Sequence, residues 1–163
     1  MAERIEPGPG QESAWDYPRP PRVEPSSRHV VVRFGGVTIA DTRQALRVLE
    51  TSHPPVFYIP PHHVRLELLT LSRLHTECEY KGMASYYDLS LDGRGVRSVA
   101  WVYPDPLPGF EAIRGHVVFY PGRVDEVFVD GERVTPQEGG SYAGWITSDV
   151  VGPFKGGPGT WTW

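Results

Sequence analysis

From His29 onward, apolar and polar side chains alternate with a period of two, interrupted by glycine and proline at short intervals. Val30, Val32 and Phe34 fall on one face, Gly35-Gly36 supplies the positive φ that a tight turn needs, and Val37 and Ile39 resume the pattern. Residues 29–40 therefore predict a β-hairpin. Tyr87, Leu89 and Leu91 alternate with Asp88 and Ser90 up to Asp92-Gly93, and Val99, Trp101 and Tyr103 restart the alternation as a second hairpin. Val117 to Tyr120 and Val124 to Val129 predict two more strands, with Asp130-Gly131 favouring a type I′ return through Val134. Val56-Phe57-Tyr58-Ile59 has the β-branched and aromatic content of a short strand between Pro54-Pro55 and Pro60-Pro61. Two stretches stay open. Residues 41–49 suit either a short helix capped by Asp41-Thr42 or a strand, and His62 to Leu69 suits either a helical turn or a bulged strand. A further helical turn fits Phe110 to Ile113.

Short strands at this spacing, without a long amphipathic helix, predict an all-β, mainly antiparallel domain, either barrel-like or of two packed sheets, with one or two short helical turns. It spans residues 29–134. Before it, residues 1–28 form a proline-rich arm, and after it residues 135–163 form a glycine- and tryptophan-rich tail. Neither carries enough aliphatic surface to order itself alone. Their aromatic side chains Trp15, Tyr17, Trp161 and Trp163 are nonetheless a large apolar load, so they are expected to be at least partly buried, against their own domain or in a homodimer whose tails cover the neighbouring copy.

The charge of -4 over 163 residues argues against nucleic acid as a partner. No run of eighteen apolar residues and no apolar leader follows Met1, which reads as a cytoplasmic protein outside the membrane. The single cysteine, Cys78, forms no internal disulfide, and no Cys/His array has zinc spacing, so neither a structural metal nor a cofactor is expected.

Candidate chemistry clusters at Thr76-Glu77-Cys78-Glu79-Tyr80-Lys81-Gly82 and the tyrosines Tyr86-Tyr87. If residues 75–81 are extended, His75, Glu77, Glu79 and Lys81 share one face, and Cys78 and Tyr80 the other. Lys81, set among Tyr80 and Tyr86, is suited to binding an anion or acting as a base. Glu50 and His53, stiffened by the following prolines, make a candidate acid/base pair, equally readable as turn-forming groups. Tyr58, Trp101 and Tyr103 suit either core packing or the wall of a ligand pocket. The segments Leu49 to Pro55, Phe57-Tyr58-Ile59-Pro60, Cys78 to Gly82 and Trp101 to Pro106 stand in an order and spacing that resemble the bacterial and fungal family called domain of unknown function 427, also filed under a nucleotidyltransferase-type name. The resemblance covers roughly residues 22–134, and Gly144 to Gly159 is similar to actinobacterial members. Glu77, Glu79 and Tyr87 stand where that family commonly has other residues of a His-Cys-Pro and Tyr-Trp pattern, which removes a His-Cys metal pair. No Gly-Ser with paired aspartates and no phosphate loop supports nucleotidyl transfer.

Three functions remain after this reading. The first is a domain binding a small, anionic or nucleotide-like ligand in a pocket formed by Glu50, His53, Tyr58, Tyr80, Lys81, Tyr86, Trp101 and Tyr103. The second is an enzyme using Lys81 or Glu50/His53 as acid/base, and the third is a non-catalytic interaction module. Glu50, Tyr58, Lys81 and Trp101, far apart in sequence, are expected to converge on one cavity.

Overall fold

In a computed structural model describing residues 3–140 and 142–163, the period-two segments are strands and the glycine-bearing dipeptides are their turns. In chain order the strands are β1 (Glu12–Ser13), β2 (Arg22–Pro25), β3 (Val30–Phe34), β4 (Val37–Thr42), β5 (Leu46–Leu49), β6 (Val56–Tyr58), β7 (Leu69–Cys78), β8 (Gly82–Leu91), β9 (Arg94–Val102), β10 (Val117–Phe119), β11 (Glu126–Val129), β12 (Glu132–Arg133), β13 (Thr135–Pro136), β14 (Trp145–Ile146) and β15 (Val150–Val151). The helical content among the described residues is confined to single 3₁₀ turns, at Ala14–Asp16, Pro61–His63, Leu66–Leu68, Glu111–Ile113 and Pro121–Arg123. Gly35 and Gly36 close β3 onto β4 with φ of 58° and 76°, the left-handed values that a type I′ turn requires. The two open stretches resolve accordingly: residues 46–49 are a strand, and residues 61–68 hold two 3₁₀ turns that lead into β7.

One sheet has the order β12-β11-β3-β4 and a second the order β10-β9-β8-β7, with antiparallel neighbours in both. A third, β2-β5-β6, continues the second, because Ile59 after β6 and Val117 in β10 exchange backbone hydrogen bonds of 2.9 and 2.8 Å. The sheets pack as layers and do not close into a barrel. Residue parity then decides what each face buries. Phe57, Ala100, Val117 and Phe119 point inward with Val30, Val32, Phe34 and Ile39 to form the main core, while their neighbours Tyr58, Trp101 and Val118 emerge on the opposite face of the same strands. That opposite face is covered by Phe110 and Ile113 and lined by Val48, Tyr103 and Ala84.

Both terminal segments pack against the sheets. β2 is an edge strand on β5, β1 pairs in parallel with β15, and β14 pairs with β13. Tyr17 is buried, Trp15 is half-buried with its indole N–H donating to the Pro153 carbonyl at 2.8 Å, and Trp163 packs against Trp15 with ring centroids 5.3 Å apart. Trp161 corrects the expectation: it is 74 % exposed and anchors nothing. The C-terminal anchor is instead Trp145, fully buried against Phe57. Among the described residues no helix is long and apolar enough to cross a membrane.

Candidate functional site

β5 ends at Leu49 and β6 begins at Val56, so Glu50 to Pro55 must turn the chain within six residues. Ser52 takes φ 67°, a left-handed conformation that costs energy for a residue with a side chain and persists only where the surroundings hold it. Both chain ends supply that restraint. Thr51 and Ser52 donate backbone N–H groups to Pro18 and Ala14 of the N-terminal segment (3.2 and 3.1 Å), while Lys155 donates to the Ser52 carbonyl (2.8 Å) and Trp145 to the Pro55 carbonyl (2.9 Å). Gly144 lies so close to this loop that a methyl group there would press into the Pro54 ring.

Lys81 is carried by a different turn. β7 stops at Cys78 and β8 starts at Gly82, so Glu79, Tyr80 and Lys81 form the hairpin connection and are not extended strand. His75 and Glu77 do share an exposed face, and Cys78 and Tyr80 do pack inward against the Tyr58 cluster; Glu79 and Lys81 leave the sheet because the chain must reverse there.

These turns meet over the outer face of β5, β6 and β9 at a cavity of about 120 Å³. Glu50, His53, Tyr58, Lys81, Trp101 and Tyr103 line it, together with Val48, Pro54 and Val56, which the sequence reading did not single out. Their signal was only indirect: Val48 shares parity with Glu50, and Val56 with Tyr58. Tyr80 and Tyr86 do not line it. Both pack beside it in the same apolar cluster, and the Tyr86 hydroxyl is occupied by Thr76 Oγ1 at 2.8 Å.

The polar groups of the cavity divide into those already satisfied and those that are not. Glu50 is held by Arg19, whose Nε donates to it at 3.0 Å, and not by His53; the proposed Glu50–His53 pair shares a wall without sharing a hydrogen bond. Tyr58 is 1 % exposed, stacks parallel to Tyr103 at 6.5 Å and meets Trp101 edge-on at 6.4 Å. Burial pushes the Tyr58 and Tyr103 hydroxyls well above the ordinary phenol range, so both remain O–H donors. Trp101 Nε1 is enclosed yet has no hydrogen-bond partner; its N–H faces Tyr58 closely enough to favour the ionised phenol, without the geometry of a bond. Enclosed donors of this kind are rare, because leaving one unpaired is costly. Among the described residues the Lys81 ammonium has no carboxylate partner; it faces the Phe110 ring, 6.0 Å from its centroid.

Larger recesses elsewhere lack this character. One of about 260 Å³ contains Asp130, Glu132 and Asp149, but each carboxylate is occupied, by the His29 N–H, by Ser148 and by Arg28. Another of about 280 Å³ contains His75 and Ser85, which bond to one another at 3.2 Å. Among the described residues no three His, Cys, Asp or Glu side chains are grouped to hold a metal ion.

His53 gives a pH-dependent expectation. Burial is the largest influence on it and holds its pKa below the usual 6.5; the Thr51 carbonyl and Glu50 oppose this, while Lys155 and Arg19 reinforce it. The unfolded ring titrates near 6.5, so the unfolded chain binds the extra proton first. This stabilising contribution is complete above about pH 6.5 and is lost as pH falls toward the lower folded value. Thermal melts at pH 7.5 and 5.0 should show a smaller acid-induced decrease for His53→Asn than for the parent chain; equal decreases would contradict the assignment.

No curated protein matches this chain. The sequence profile of the family described as domain of unknown function (DUF427) matches residues 22–130, from β2 to the β11–β12 turn and across every strand that lines the cavity. That match covers most of the chain, and the protein therefore belongs to the DUF427 family.

Proposed function

We propose that this chain is a binding domain for a small anion, received in the cavity between the Glu50–Pro55 loop and the Lys81 turn. One observation carries the reading: an enclosed donor without a partner, the Trp101 N–H, lines the same cavity as the Tyr58 hydroxyl and, among the described residues, a lysine without a carboxylate partner. An anion would satisfy all three, and hydrogen bonds to a charged group are worth about 1.5–3 kcal/mol each. Size narrows the choice. A volume of about 120 Å³ holds roughly four waters at ~30 Å³ each, enough to enclose a carboxylate-sized group. Nucleotidyl transfer is disfavoured by the missing motifs. Acid/base catalysis at this cavity is the second reading, favoured by the free imidazole nitrogen of His53 and not by Glu50, which Arg19 occupies.

Thermal-shift and calorimetric titrations with acetate and with acetamide, its uncharged analogue, test this. Acetate should bind and raise the melting temperature while acetamide does not. Lys81→Met should weaken acetate binding tenfold or more, with its own melting temperature within about 2 °C of the parent's because the side chain is half-exposed. Equal responses to acetate and acetamide, or none to either, would refute the proposal.

A further inference from the structure

The donors just described share the cavity's lining with acceptors. His53 Nδ1 lies 2.9 Å from the Thr51 carbonyl, which can only accept, so Nδ1 carries the ring proton. In the neutral imidazole the opposite nitrogen, Nε2, then holds a lone pair, and among the described residues it has no hydrogen-bond partner. Burial favours this neutral form. Glu50 stands beside it, with one carboxylate oxygen held by Arg19 and the side chain still lining the cavity. The cavity therefore offers both kinds of group, with Lys81, Tyr58 and Trp101 donating and His53 and Glu50 accepting, around a space about four waters in volume.

Such a cavity discriminates among small anions. A plain carboxylate such as acetate satisfies the donors and leaves Nε2 facing a methyl group. A carboxylate whose α-carbon carries a hydroxyl or ammonium group can satisfy donors and acceptors together. Resting on the small-anion reading above, we infer that the ligand is an α-hydroxy or α-amino carboxylate, its carboxylate toward Lys81, Tyr58 and Trp101 and its α-donor toward His53 Nε2. Sites built to pair with a ligand O–H or N–H reject analogues that lack it, because the site's own polar group is then left unpaired.

The test uses the full chain and three probes of nearly equal size: acetate, glycolate and glycine, titrated calorimetrically near pH 7.5. Glycolate or glycine should bind at least tenfold more tightly than acetate; whichever is preferred identifies the α-donor as hydroxyl or ammonium. His53→Asn keeps an N–H for the Thr51 carbonyl and removes the acceptor. It should bring the three probes to within about twofold of one another. His53→Gln, whose amide oxygen reaches toward the place of Nε2, should retain part of the preference and serves if the asparagine variant fails to fold. Acetate binding as tightly as both other probes overturns this inference and leaves the small-anion reading intact. A preference unchanged in the His53 variants overturns it as well, and failure of all three probes to bind overturns both.

Discussion

Trp145→Ala is expected to lower the melting temperature by roughly 6–20 °C, from a loss of about 3–5 kcal/mol typical of a fully buried tryptophan and about 2–4 °C per kcal/mol for a chain of this size. Trp145 is fully buried, its ring lies 5.1 Å from Phe57, and its N–H donates to the Phe119 carbonyl at 3.1 Å. Its backbone N–H also donates to Pro55. Alanine would retain that main-chain bond but open a cavity in the main core and strip the buried Phe119 carbonyl of its partner. The residue lies beyond the matched family region, so the effect would show that the C-terminal segment completes the domain. Differential scanning calorimetry checks it; a decrease under about 2 °C would mean the segment adds little.

Arg47→Met is the second large effect. The Arg47 side chain is only 8 % exposed and donates to Glu12 at 2.7 Å and to Glu24 at 2.6 and 3.1 Å, while the Tyr17 hydroxyl donates to Glu12 at 2.7 Å. The cation thus ties β1 and β2 to β5. Methionine keeps the apolar stem but removes the buried cation that Glu12 and Glu24 share, leaving the more exposed Arg22 near Glu24 at 3.6 Å. Removing one member of a fully buried ion pair costs about 3–5 kcal/mol; Glu12 and Glu24 keep partial access to water, so about 2–3 kcal/mol is expected. Denaturant unfolding should show this loss, and most of it should return in Arg47→Met combined with Glu12→Gln and Glu24→Gln. A single variant as stable as the parent would show that the ion pairs contribute nothing net.

The hairpins were legible because their determinants are local. Gly35-Gly36, Asp92-Gly93 and Asp130-Gly131 need only their own backbone conformation and flanking alternation to define a turn. The cavity was legible for a related reason: Tyr58 lies opposite Phe57 in parity, and Trp101 opposite Ala100, so the side chains that miss the main core must meet elsewhere. What stayed hidden depends on chain reversal and long-range partners. A run from His75 to Lys81 reads as continuous strand until β8 has to return beside β7, which moves Lys81 into the turn. Glu50 and His53 look like a pair at three residues' separation; Arg19 and the Thr51 carbonyl claim them instead, and nothing local announces an arginine 31 residues upstream. The aromatic tails were correctly weighed as an apolar load, yet alternation says nothing about segments without periodicity. Trp145, held by Phe119 and Pro55, carries the weight that Trp161 does not.

The central claim is that the unpartnered Trp101 N–H and Lys81 receive an anion, and the indole N–H of Trp101 reports on it directly. In a proton–nitrogen correlation spectrum the indole signals of Trp15 and Trp145 serve as internal controls, because both N–H groups are already bonded, to Pro153 and Phe119. Titration with glycolate should move the Trp101 indole proton downfield and saturably while the Trp15 and Trp145 signals stay in place, and Lys81→Met should shift that saturation to at least tenfold higher concentration. A Trp101 signal that does not move, or that moves no more than the other two, would contradict the claim.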